Sequence, residues 1–266
     1  MRIGNSIIIS TFISLTALAI FDNYFYVITA VSATMIVFET SVVAGVGNSI
    51  VLESKEKNYK DYCKINFLYL WIAGWLTSFI LCLFQPFMEL WVGKELMLSD
   101  YMMVLFCLYF FVGCFSSITN VYSTATGLWW EQRYKSLFEV IINVVSNLVF
   151  IQIFGLKGIL YATILTLLLI TFFWTAKILY NHYFVNASVW DIVKLITKET
   201  LSVCVMCTAT YYLCMLINVN SLVLTMAIRF AICLVVPNLV FYALMHKNQD
   251  MQSSIVMLKQ ILKLKK

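Results

Sequence analysis

Long apolar runs separated by short polar breaks organise this chain. They cover roughly 4–21, 24–52, 65–85, 101–121, 137–154, 159–180, 200–218 and 221–245. Each is near the ~20 residues that an α-helix needs to cross a ~30 Å hydrocarbon core. The pattern predicts an all-α polytopic membrane protein of about eight transmembrane helices. The breaks read as turns between antiparallel spans. Asp22-Asn23 is expected to be a tight turn, and Gly155-Leu156-Lys157-Gly158 a minimal one. Gln85-Pro86 is expected to end the third span, because proline cannot donate to the helical ladder. After it, 86–100 reads as the longest loop of its side, with Trp91 as an interfacial anchor. On the other side lie a charged loop at 53–64 and an aromatic one at 127–136, which sets Trp129 and Trp130 at headgroup depth.

Two segments are amphipathic without being long enough to cross. In 181–199, Val189, Ile192, Val193 and Ile196 recur at helical spacing beside Trp190, which predicts a short helix lying on the membrane surface. In 246–266, Ile255, Leu258, Ile261, Leu262 and Leu264 form a ragged apolar face among Lys259, Lys263, Lys265 and Lys266. Both read as interfacial anchors. The chain thus divides into a helical bundle at 1–180, an interfacial helix at 181–199, two trailing transmembrane helices at 200–245 and a basic amphipathic tail at 246–266. Pro237 inside the last run predicts a kink.

Charge orients this layout. Alternate threading puts Arg2, Lys55, Lys57, Lys60, Lys64, Arg133, Lys135, Lys177, Lys194, Lys198, Lys247 and the four tail lysines on one face. That is fifteen of the eighteen basic residues; Lys94 and Lys157 fall on the other face and Arg229 within a span. Cationic loops stay in the cytoplasm, so both termini are expected there. The net charge of +5 does not indicate nucleic acid, because the cations lie beside the membrane, where anionic lipids attract them. At 62% hydrophobic and 12% charged residues, the composition excludes an ordinary soluble domain. The first apolar run lacks a clean cleavage site and continues into the second, so a removable signal peptide is not expected.

Polar groups inside a bilayer are costly, so they mark candidate function. Glu39 lies near the middle of the second run, where it is expected to face a cavity as a proton or cation site or to be satisfied by a neighbouring helix. Glu139, Asn143 and Asn147 recur at i, i+4 and i+8, with Ser146 just off the line, so one helix face is polar. That stripe reads either as a cavity lining for sugar hydroxyls or as hydrogen-bond glue between helices. Arg229 lies about two turns inside the last run; it either snorkels outward or stands as a fixed cation for a phosphate or carboxylate, Glu39 among them. Ser41, Gly45 and Ser49 form a small-residue ridge that predicts close helix packing.

Catalytic patterns are missing: the sequence has no GxSxG, HExxH or P-loop, and Glu89, Glu95 and Asp100 form no recognisable set. An enzyme is not expected. Of eight cysteines, seven lie in apolar runs, and the Cys204-x-x-Cys207 pair reads as two small apolar side chains rather than a metal site. No cofactor is expected beyond a coupling proton or sodium ion.

Several stretches in order resemble the bacterial polysaccharide flippases, which export oligosaccharide-lipids within the multidrug/oligosaccharidyl-lipid/polysaccharide exporter superfamily. They are Asp22-Asn23-Tyr24, Gly47-Asn48, the PFMELWVGKELML segment at 86–98, and 127–166 with its aromatic loop, Glu139, Asn143 and FGLKG turn. The similarity covers about 1–180, and the rest shares only hydropathy. The resemblance implies two six-helix bundles around a central cavity, sometimes with two further helices. It also implies export of undecaprenyl-diphosphate-linked glycan across the bacterial cytoplasmic membrane, for capsule, exopolysaccharide or O-antigen assembly. Glu139, Asn143 and Asn147 would then line the C-terminal bundle. The chain is about one bundle and two trailing helices long, so the expected protein is a truncated or partial flippase that needs an N-terminal half or a second copy. Alternatives are a drug or cation exporter of the same superfamily, a membrane enzyme of polysaccharide assembly, and a remnant that transports nothing.

Overall fold

The computed structural model describes residues 2–217, 219, 221–248 and 251–256. The protein is helical throughout, with no strand among the described residues. Its helices are α1 (Arg2–Phe12), α2 (Leu15–Leu52), α3 (Lys55–Val92), α4 (Asp100–Gly113), α5 (Ser117–Ala125), α6 (Lys135–Phe154), α7 (Leu156–Thr166), α8 (Phe173–His182), α9 (Val189–Met215) and α10 (Leu222–Met245). A 3-10 turn, Cys114–Ser116, joins α4 to α5, and a wide π-helical turn, Leu167–Phe172, joins α7 to α8. Serines open five of the helices: the side chains of Ser14, Ser54, Ser99, Ser188 and Ser221 each accept from a backbone N–H of the first turn. Such caps satisfy donors that an apolar first turn leaves open.

Six helical stretches are long and apolar enough to cross a membrane: Leu15–Leu52, Lys55–Val92, Asp100–Ala125, Lys135–Phe154, Leu156–His182 and Leu222–Met245. Two of the expected eight spans are not among them. The first expected span is divided at Ile13-Ser14, and α1 is only about 16 Å long. Asp22-Asn23 lies inside α2 instead of forming a turn, because its neighbours dock. Phe21 and Tyr24 pack on Phe106 and Phe84, and the Tyr24 hydroxyl donates to Gln85 Oε1 at 2.7 Å. Packing of this kind overrides local turn preference. The seventh expected span and the surface helix before it are one continuous helix, α9, opened by a Ser188–Asp191 capping box. Its charged first half makes it less apolar than the six, and it packs against α3 and α10. The tail residues beyond Val256, with Lys259, Lys263, Lys265 and Lys266, lie outside the described residues.

The lysine-bearing turns gather at one end of the bundle. There Asn58 Nδ2 donates to the Tyr183 hydroxyl at 2.9 Å, Tyr62 meets Thr119 at 2.9 Å, and Ser254 Oγ donates to the Lys64 carbonyl at 3.2 Å. Around them Tyr59, Tyr62, Tyr122, Tyr180 and Phe184 form one aromatic cluster. At the opposite end the start of α4 meets α7: Tyr101 and Tyr161 share a hydrogen bond of 2.5 Å, and Lys157 stands over the Tyr101 ring. Gly155 has φ of 58°, and a Cβ on Gly158 would overlap the Phe150 carbonyl, so the α6–α7 turn is as tight as the sequence predicts.

The hub is α3, which touches α2, α4, α5, α9 and α10. Pro86 lies inside it and does not end it. A proline frees the carbonyl four residues earlier. Here that is Cys82, and Arg229 Nη1 of α10 donates to it at 3.4 Å. Pro237 of α10 frees the carbonyl of Cys233, and Trp75 Nε1 of α3 donates to it at 2.8 Å. The chain's two prolines are therefore capped reciprocally by side chains of each other's helices.

Restoring the N–H with Pro86→Ala should make Arg229 partly dispensable. In a double-mutant cycle followed by thermal unfolding in detergent, Arg229→Gln is expected to cost ~1 kcal/mol less in the Pro86→Ala background. Equal costs in both backgrounds would show that the guanidinium does not cap that carbonyl. Gly158→Ala should cost about 1–3 kcal/mol through overpacking. Gly45→Ala, whose Cβ would meet nothing within 4 Å, should be tolerated in the same assay.

Candidate functional site

At the lysine-rich end, α2, α3, α5 and residues 251–256 line an open cavity of about 760 Å³. Ser41, Gly45 and Ser49 line it from α2, and Asp61 and Lys64 from α3. The small-residue ridge therefore faces open space and is not a packing seam: a Cβ on Gly45 or Gly47 would touch nothing. Lys64 Nζ and Asp61 Oδ1 are 3.1 Å apart and both side chains are about one-third exposed, so this pair adds little stability and stays available to a ligand. At the mouth, Ser49 Oγ donates to Asn58 Oδ1 at 2.6 Å.

Beyond the inner end of this cavity stands Glu39. Its Oε1 accepts from the hydroxyl of the buried Tyr69 at 2.5 Å. Tyr69 is one turn along α3 from Ile65, which lines the cavity, so Glu39 lies only about 6 Å past it. Glu39 is thirteen residues, about 20 Å, from the Leu52 end of α2.

The α6 stripe is confirmed as one face, with two different environments. Asn147 Nδ2 donates to Asn5 Oδ1 at 2.9 Å and to Asn143 Oδ1 at 3.0 Å. Asn5 Nδ2 reaches Thr163 Oγ1 at 3.3 Å, and Asn143 Nδ2 reaches Thr166 Oγ1 at 3.5 Å. Asn143 and Asn147 are 2% and 0% exposed, and the network joins α1, α6 and α7. Of the two readings of the stripe, glue between helices describes these asparagines, and they line no described cavity. Glu139 is half-buried and accepts from Thr171 Oγ1, in the wide turn, at 3.0 Å.

Arg229 is turned inward to the Cys82 carbonyl, and its Nε is buried without a partner. Tyr69 and Cys82 are separated by about 20 Å along α3, so Glu39 and Arg229 do not pair. The sequence candidates thus occupy separate places: Glu39 by the cavity, Glu139 at the wide turn, the asparagines in a closed network, and Arg229 near the other end.

Two features escaped the sequence reading. Glu199, taken for a surface-helix residue, is 1% exposed on α9. Cys82, Cys214 and Cys233, from α3, α9 and α10, bring their sulfurs within 4.8 Å of one another. Their spacing follows no motif, since only the packing of three helices unites them. The Cys204-x-x-Cys207 pair is split: Cys204 is exposed, and Cys207 packs on Ser78 and Gly74 of α3. No protein-family model, curated protein or solved structure matches the chain.

Replacing Asn147 with Leu leaves Asn5 and Asn143 short of partners, and should lower stability by about 1–2 kcal/mol. Glu39→Gln keeps an acceptor for Tyr69 and should leave the unfolding temperature nearly unchanged. Thermal unfolding of both variants in the same detergent tests this; a neutral Asn147→Leu would remove the network from the account.

Proposed function

We propose that this chain is one bundle of a membrane transporter that moves a lipid-linked oligosaccharide headgroup, with α2 as its cavity wall. The observation that carries the reading is the exposed face of α2. Only 11% of its apolar stretch is buried, against 61% for α3. Along it Thr34, Thr40, Ser41, Gly45 and Asn48 are exposed. α6 is nearly as open, with 17% of its stretch buried, but over 137–149 it exposes only apolar side chains, Leu137, Phe138, Val140, Ile141, Val144 and Val145 among them, whereas α2 mixes its polar positions with Ile36, Val37 and Val43. A face that mixes small polar and apolar positions suits a second bundle. The cavity at the foot of this face offers hydroxyls for sugar and Lys64 for a phosphate, and Glu39, just beyond its inner end, is the site for a coupling proton or sodium ion.

The resemblance to polysaccharide flippases supplies the substrate class: an undecaprenyl-diphosphate-linked glycan carried across the bacterial cytoplasmic membrane, with both termini of the chain cytoplasmic. In this reading α1 and α9 complete eight membrane-inserted helices. The opposing wall is a second helical bundle, either a different one or a second copy of this one. A second reading, export of an organic cation, is favoured by one observation: Arg229 stands far from the cavity, which Asp61 lines beside Lys64 and Glu39 borders.

Flipping of a fluorescent polyprenyl-diphosphate oligosaccharide by proteoliposomes holding the assembled transporter tests the proposal. Glu39→Gln and Lys64→Gln should each slow it ~10-fold, a loss of about 1.4 kcal/mol. Single cysteines at Thr34 and Ser41 should cross-link to the opposing bundle, and one at Val145 should not. Rates unchanged in both variants would overturn the reading. Transport of a cationic dye without the lipid substrate would install the second.

A further inference from the structure

We propose that Cys82, Cys214 and Cys233 form a three-thiolate site for a soft monovalent metal ion, copper(I). The three residues come from α3, α9 and α10 and are 1%, 0% and 0% exposed. Their sulfurs lie within 4.8 Å of one another, and among the described residues this is the one group of three or more potential ligands so close. A trigonal site with metal–sulfur bonds of roughly 2.3 Å, as in zinc thiolates, needs sulfurs ~4 Å apart. Small side-chain rotations therefore suffice to gather them round one ion.

The surroundings select the ion. Phe79, Tyr211 and Ile232 pack against the trio, and the oxygen that meets one of its sulfurs is the Ser78 carbonyl, to which Cys233 Sγ donates at 3.7 Å; this is far from the six or more oxygens that calcium takes. Zinc in structural sites takes four ligands, and the nearest further thiol, Cys207, is engaged with Ser78 and Gly74 of α3. Soft thiolates in threefold arrangement favour copper(I). Each thiol that coordinates gives up its proton. Three thiolates around one monovalent cation carry a charge of about −2, which hydrocarbon disfavours unless a cation stands near. Arg229 is that cation: its guanidinium already reaches the Cys82 carbonyl at 3.4 Å.

The backbone is prepared for this role. Cys82 and Cys233 are the residues whose carbonyls Pro86 and Pro237 release, and Arg229 and Trp75 hold those carbonyls. Two of the three ligands are thus positioned by hydrogen bonds independent of the metal. The third, Cys214, is near the end of α9, so an ion would fasten α9 to the other two helices.

The test uses the full chain, purified without oxygen and titrated with copper(I) against bathocuproine disulfonate as competitor. One copper per chain is expected, with X-ray absorption showing three sulfur neighbours. Cys82→Ser, Cys214→Ser and Cys233→Ser should each abolish competitive binding, while Cys107→Ser and Cys204→Ser should keep it. Arg229→Gln should weaken binding ~10-fold, as loss of a supporting partner does elsewhere. Copper retained by the Cys233→Ser protein would overturn the site. So would a disulfide among the three in wild-type protein alkylated during extraction, or zinc bound in place of copper. The sulfur count on wild-type protein stands even where a serine variant misfolds: a shell dominated by nitrogen or oxygen would end the proposal.

Discussion

A proline inside a hydrocarbon-buried helix releases a carbonyl that lipid cannot satisfy. In this protein each released carbonyl finds its donor on the other proline-bearing helix. The bonds from Trp75 to Cys233 and from Arg229 to Cys82 therefore fix the register of α10 on α3. The rest of that side follows. With α10 set, α9 fits in the angle beside it, where Gly74 leaves room for Val203 and Met206. What looks like a pair of helix-breaking residues is the means by which two helices recognise each other.

On the other side of the bundle a buried polar network sits among apolar core residues such as Ile9, Ile151 and Ile159. Lipid supplies no hydrophobic drive between helices, so interior hydrogen bonds add to the attraction. Asn5, Asn143 and Asn147 serve that purpose between α1, α6 and α7. The α2 surface breaks the pattern, with polar and glycine positions turned outward above the cavity.

The architecture was legible where one local property decides it. Apolar runs marked the helices, Gly155 and Gly158 marked the tightest turn, and the spacing of Glu139, Asn143 and Asn147 marked one face of α6. It was not legible where distant residues decide. Asp22-Asn23 reads as a turn until Phe84, Gln85 and Phe106 hold its flanks in a helix. Pro86 reads as a terminus until Arg229, far along the chain, answers the carbonyl it frees. The partner of Glu39 is Tyr69 of α3, thirty residues on, which no local pattern around Glu39 names. The cysteine trio has no spacing to read, because it exists only once α3, α9 and α10 are packed.

The wide turn between α7 and α8 carries a consequence for helix phase. Thr166 faces Asn143 and Thr171 faces Glu139, so positions five apart on one helix meet positions four apart on the other. In a regular α-helix five residues leave the second threonine about 140° out of phase with the first. The π-helical stretch Leu167–Phe172 absorbs the surplus residue and brings both threonines round to α6. It works as a vernier between two scales. Removing one residue there would restore an ideal helix and, by the same act, rotate Thr171 and everything after it away from Glu139.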